Sequence, residues 1–126
     1  MDIIRYFEDR EGLGVLATSD EDGNVDIAVY ARPHVVDNKT VVFIMNERLS
    51  HKNLKTNFKA AYLFREEGDG YSGVRLYLEK IKEESDTSLI ESIRRRGRET
   101  GAPSTNDAQK YLVYFRVTRT RPLIGG

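Results

Sequence analysis

Two long alternating runs constrain this chain more than any other feature. From Val74 to Glu84, the residues Val74, Leu76 and Leu78 alternate with charged and aromatic neighbours. From Tyr111 to Thr120, Tyr111, Val113, Phe115 and Val117 alternate with Leu112, Tyr114, Arg116 and Thr118. A period of two puts each set on one face of an extended backbone, so both runs read as half-exposed strands. A strand leaves a row of N–H and C=O groups that need partners, so the rest of the chain must supply a sheet.

The remaining text does so. GVLATSD leads through the turn EDGN into VDIAVYARP, a hairpin in which Asp22-Gly23 takes the positive-φ positions. HVVDNKTVVFIM is a second hairpin signal with Asp37-Asn38-Lys39 at its turn, and the unbroken apolar stretch Val41 to Met45 predicts a strand buried on both faces. Ala60 to Phe64 is a further strand. Ile3, Ile4 and Phe7 share one face of a short helix that Asp2 can cap, ending near Gly12. A polar segment flanked by Leu49 and Leu54 predicts a second helix ending near Asn57. Ser85 or Asp86 can cap a third through residues 88–99, closed by Gly97 or Gly101, while REEGDGYSG and GAPSTND read as loops. The expected fold is mainly β with short helices (α+β), a six-stranded antiparallel barrel forming a single domain over residues 1–126.

Composition narrows the function. The 126 residues carry 20 Lys plus Arg against 20 Asp plus Glu, so no global field draws nucleic acid or an acidic membrane surface. No cysteine is present, which excludes disulfides, thiolate nucleophiles and Cys-ligated metals, and with only His34 and His51 a transition-metal centre is not expected. No GxSxG elbow supports a serine nucleophile. The start MDIIRYFEDRE has neither the basic nor the apolar region of a signal peptide, and no run approaches the ~20 apolar residues of a membrane span. The expectation is a cytoplasmic protein with no nucleic-acid or membrane partner. The run Arg94-Arg95-Arg96-Gly97-Arg98 is read as the cationic last turn of a solvated helix, with a phosphate or nucleic-acid patch as its rival.

The most informative segment is Arg48-Leu49-Ser50-His51-Lys52-Asn53-Leu54, directly after the buried strand. Ser50 is a natural N-cap, and the helix it opens carries His51 and Lys52 in a first turn where the macrodipole disfavours cations. Free N–H groups, a hydroxyl and the Arg48 guanidinium are the parts of a phosphate cradle; the alternative is a solvated helix start with incidental charges. A second cluster is Tyr30-Ala31-Arg32-Pro33-His34. Pro33 cannot donate to a ladder, so it belongs at an edge or strand end, where its neighbours can face a ligand.

The order LATSDEDGNVDIAVYARPHVV, then TVVFIMNERLSHKNLKTNFKAAYLF, then a strand beginning near Gly73 resembles the FMN-binding split-barrel family related to pyridoxamine 5′-phosphate oxidase. The resemblance covers roughly residues 10–85, with a family-like last strand at YLVYFRVTRTRPLIG. It implies a homodimer that binds FMN between its subunits. Tyr30, Ala31, Arg32 and Pro33 then line the flavin ring and Phe43 and Ile44 its edge. Arg48, Leu49, Ser50 and Asn53 form the phosphate end, and Ser72 or Gly73 reaches in from the partner. No side chain is assigned as catalytic, because the flavin carries the redox chemistry. The family's oxidases are longer and end in a basic substrate-binding segment, whereas this chain ends at RPLIGG, and Ser50 stands where the family's phosphate-end Lys is usual. The implied function is a small flavin-dependent oxidoreductase rather than pyridoxamine phosphate oxidation itself. Its rivals are a flavin-binding storage, relay or sensor protein without turnover, and a deazaflavin or heme user on the same fold.

Overall fold

The computed structural model describes residues 1–46, 48–85, 88, 90 and 110–125. The chain runs α1 (Ile3–Glu8), β1 (Gly12–Ser19), β2 (Val25–Val29), β3 (His34–Asp37), β4 (Thr40–Asn46), α2 (Leu49–Thr56), β5 (Lys59–Glu66), β6 (Gly73–Glu84) and β7 (Lys110–Pro122). The third helix expected through residues 88–99, and the Arg94–Arg98 run within it, lie outside the described residues apart from Ser88 and Ile90. One antiparallel sheet has the order β2-β1-β5-β6-β7-β4-β3. It has seven strands rather than the expected six; both arms of the second hairpin count as strands, β3 pairing with β4 from His34↔Val42 to Asp37↔Thr40.

The first turn is centred one residue earlier than expected: Gly23 N–H donates to the Asp20 carbonyl at 3.2 Å, which puts Glu21 and Asp22 at its centre and Gly23 after them. Asp20 accepts from the backbone N–H groups of Asp22 and Asn24, both at 2.9 Å, and Gly23 has φ +87°, a value that favours glycine. Asp37 accepts from Lys39 N–H at 2.8 Å in the next hairpin.

Alternation decides what the sheet encloses. Leu16, Tyr62, Phe64, Val74, Leu76, Leu78, Val113 and Phe115 point inward and meet Val41, Phe43 and Met45 of β4, with Leu54 of α2 and Ile3 and Phe7 of α1 closing the core. Ile4 stands 47% exposed, contrary to its expected place on the buried face of α1: a six-residue helix buries only what spans one stripe, here Ile3 and Phe7. Strand β4 is buried on both sides, as its unbroken apolar run requires, because Val42 packs with Leu112 and Ile90 on the second face.

The outer face is less ordinary. The register aligns Ile27, Ala17, Ala61 and Tyr77 across four strands, and Val29, Val15 and Leu63 beside them. On the edge strand β2, Val25, Ile27 and Val29 are 79%, 69% and 70% exposed, and Leu13 on β1 lies open with them. These exposed apolar residues share one face of the edge strand and its neighbour.

Candidate functional site

The two helices start differently, and the contrast locates the site. At α1 the Asp2 side chain accepts from Arg5 N–H at 3.1 Å and Asn38, reaching over from the β3–β4 turn, accepts from Ile3 N–H at 2.9 Å. That start is satisfied from within. Helix α2 opens behind Arg48, whose backbone is extended (φ −136°, ψ −169°), with no side-chain cap and no acid in its first turn. Its N–H groups carry the positive end of the helix dipole, and its first turn carries no acidic residue.

Ser50 is not the cap that was expected. The turn begins earlier: Arg48 N–H donates to Asn46 at 2.8 Å, and the Arg48 carbonyl accepts from Lys52 N–H at 2.9 Å. Ser50 therefore sits at the second helical position, 3% exposed, beside the Tyr30 phenol.

Tyr30 reaches this point because the backbone after β2 is held in place. Its N–H donates to the Gly14 carbonyl at 3.0 Å, and the buried Tyr62 hydroxyl donates to the carbonyls of Tyr30 and Ala31 at 3.2 and 3.0 Å. Gly14 makes room for this arrangement: a Cβ there would stand 1.8 Å from the Tyr62 oxygen and 2.5 Å from the Tyr30 carbonyl. Burial raises the Tyr30 pKa; the hydrogen bond with Ser50 and the charge of Arg48 oppose the rise, Asp26 adds to it, and the net direction is upward. The phenol therefore stays protonated at neutral pH and able to donate. Arg48, Tyr30, Ser50 and the start of α2 form one donor set, with the Arg48 side chain exposed above it. Such a set fits a phosphate: a guanidinium, hydroxyls and helix N–H groups are its usual ligands.

The other expected residues divide. Leu49 is exposed beside Arg48 and Ala31 is exposed beside Tyr30, whereas Pro33 is buried. Asn53 is turned inward and donates to Thr18 at 3.0 Å, a buried bond that ties α2 to β1. Arg32 donates to the Phe7 carbonyl at 3.1 Å and to the Arg10 carbonyl, so its guanidinium closes the C-terminal end of α1 instead of facing a ring. Phe43 points into the barrel at 2% exposure, edge-on to Tyr30, while Ile44 faces the opposite side with Val42. Successive residues of one strand cannot line the same surface, which corrects their expected pairing at the edge of a ring. Ser72 is exposed in the β5–β6 turn, its carbonyl accepting from Glu66 N–H at 2.8 Å.

His51 was read as part of the basic helix start, but it is 1% exposed. Its Nε2 lies 3.1 Å from both Glu83 carboxylate oxygens and its ring stacks on Tyr111, centroids 4.0 Å apart. Glu83 also accepts from Lys80 at 2.9 Å, and Lys80 reaches the Leu54 carbonyl in the last turn of α2. Strand β6 thus holds α2 near both of its ends. Partners 32 residues apart leave no signal in local spacing, so only the sheet register could have revealed them. Burial raises the Glu83 pKa, but hydrogen bonds from Lys80 and His51, with their charges, outweigh it and hold the group below the ordinary 4.5. A lowered carboxylate pKa stabilises the fold above its unfolded value, and the gain is lost as pH falls through the folded value. Urea unfolding across pH should therefore show Glu83→Gln less stable than wild type at neutral pH, with the gap closing below 4.5. A gap that does not change with pH would remove the ion pair as its source.

No protein-family model matches the chain and no curated protein does. Solved structures do. An FMN-binding protein of Syntrophomonas wolfei subsp. wolfei superposes with TM-score 0.75 at 20% identity, over 90% of this chain and 78% of that one. An F420 reductase gives TM-score 0.69 at 19% identity, over 89% and 90% of the two chains. The chain shares the split-barrel fold of these structures. A candidate pyridoxamine 5′-phosphate oxidase of Lactobacillus delbrueckii shares this split barrel with TM-score 0.66 at 17% identity, over 94% and 88%. Among the described residues no helix is long and apolar enough to cross a membrane.

Proposed function

We propose that this split barrel binds FMN noncovalently and serves as a small flavin-dependent oxidoreductase, working as a homodimer with the cofactor at the subunit interface. The observation that carries the reading is the uncapped start of α2 with Arg48, Ser50 and the protonated Tyr30 phenol gathered on it. That donor set fits the terminal phosphate of FMN, and the fold is one in which a neighbour binds FMN. When bound, the flavin supplies the redox chemistry.

The chain's own residues hold and orient. Arg48, Ser50 and the α2 N–H groups take the phosphate; Tyr30, Ala31 and Pro33 set the path of the backbone beside the ring; Ile44 faces the outer side of β4, and Ser72 is offered to the partner's site. The open aliphatic face of β2 and β1 supports the dimer, since apolar rows of this extent need a covering surface. The likeness to an F420 reductase makes a deazaflavin the second reading.

Purified protein reconstituted with FMN should be yellow, and mass spectrometry of the supernatant after denaturation should find FMN. Release of FAD, a deazaflavin or heme, or no chromophore after reconstitution, would overturn the FMN assignment.

A further inference from the structure

The first internal bond of α2 runs from Lys52 N–H to the Arg48 carbonyl, so the N–H groups that open the helix belong to Leu49, Ser50 and His51. The third of these residues is anchored from the far side of the helix. His51 is 1% exposed and turns its ring into the fold, toward β6 and β7.

Two strands fix that ring. Tyr111 of β7 stacks on it with planes 11° apart, and Glu83 of β6 sets both carboxylate oxygens 3.1 Å from Nε2. Burial raises the Glu83 pKa, but hydrogen bonds from Lys80 and His51 outweigh it, so the group is ionised at neutral pH. An ionised carboxylate only accepts, so Nε2 is the donor and the ring is held in one plane. Glu83 is braced in turn by Lys80 at 2.9 Å, and the same ammonium reaches the Leu54 carbonyl at 3.4 Å. A first turn pinned in this way presents its N–H groups in one direction before any anion arrives, so no affinity is lost to ordering them.

Resting on the flavin reading of this site, we propose that Glu83 is a positioning residue for the phosphate end: through the His51 ring it holds the first turn of α2 in the orientation that a terminal phosphate requires. Glu83 acts without touching the ligand. Its influence is confined to flavins that carry the phosphate, and riboflavin does not sense it.

The measurement is the preference for FMN over riboflavin, from dissociation constants determined by fluorescence titration. Glu83→Gln and His51→Phe should each lower that preference at least about fivefold, the second because Phe keeps a ring against Tyr111 but donates nothing. His51→Gln carries an amide donor near the position of Nε2 and should keep most of the preference. Glu79→Gln, which breaks the 2.9 Å bond from Arg116 to another carboxylate of β6, should leave it unchanged. Glu83 is partly exposed, so Glu83→Gln keeps the fold and is decisive if His51→Phe does not fold by circular dichroism.

An unchanged preference in Glu83→Gln, an equal fall in Glu79→Gln, or a fall in His51→Gln as large as in a folded His51→Phe would each overturn the positioning role. Arg48→Ala scores the flavin reading separately. If Arg48→Ala lowers the preference and Glu83→Gln does not, the phosphate sits at α2 and only the role of Glu83 falls. If Arg48→Ala leaves the preference unchanged, the phosphate does not sit there and both fall.

Discussion

Ile27→Asp is expected to turn the proposed dimer into a monomer. Ile27 stands 69% exposed at the centre of the β2 face, with Val25 and Val29 on either side and Ala17 opposite it on β1. Covering one such side chain is worth about 1.5–3 kcal/mol, and an interface with two-fold symmetry carries the substitution twice. The expected weakening is then roughly 10²–10⁴-fold in the dimer constant, before adding the cost of placing two carboxylates against apolar surface. Light scattering on the wild type and the variant measures it, with circular dichroism checking that the monomer still folds. An exposed position on an edge strand makes no inward contact, so folding should survive. A wild-type protein that is monomeric and still binds FMN tightly would end the idea of a shared site.

Arg48→Ala is expected to weaken FMN by roughly 10- to 150-fold and riboflavin hardly at all. A hydrogen bond to a charged group is worth about 1.5–3 kcal/mol, and only FMN brings the dianion. Arg48 is exposed and offers no side-chain cap to α2, so its loss should cost the fold little. Ser50→Ala should cost less affinity, on the order of one neutral hydrogen bond, but it also alters a buried position beside Tyr30. Fluorescence titration of both flavins against both variants gives the decisive quantity, the FMN-to-riboflavin ratio. If Arg48→Ala weakens the two flavins equally, or neither, the phosphate does not sit at the start of α2.

What could be read from the residues alone follows a physical boundary. The alternation in β6 and β7, the doubly buried β4, the Asp2 cap and the place of both hairpins are local patterns, and the structure repeats them, with the first turn centred on Glu21 and Asp22. The start of α2 was legible as a place where cations meet a helix dipole, yet its phase was not: Ser50 looked like a cap until the Asn46–Arg48 turn placed the first helical residue at Leu49. Three expected ligands proved to have work inside the fold. Asn53 is bonded to Thr18, Arg32 to the end of α1, and Phe43 belongs to the core; each of these relations joins segments far apart in the chain. The open β2 face was visible as Val25-Asp26-Ile27-Ala28-Val29, but alternation says that two faces differ, not which one is left uncovered.

The sheet order also bears on how the molecule comes to exist. Strand β7, the last of the sheet, is wedged between β6 and β4, pairing Thr40 with Arg116 on one side and Val74 with Pro122 on the other. During synthesis β4 and β6 emerge long before the strand that joins them. Until residues 110–122 clear the ribosome, each offers an open hydrogen-bonding edge beside the apolar side chains that later form the core. Closing contacts of such long range is slow, on the scale of milliseconds to seconds. Truncation within β7 should therefore yield insoluble chains rather than a smaller barrel, and the nascent protein is a natural client for holding chaperones.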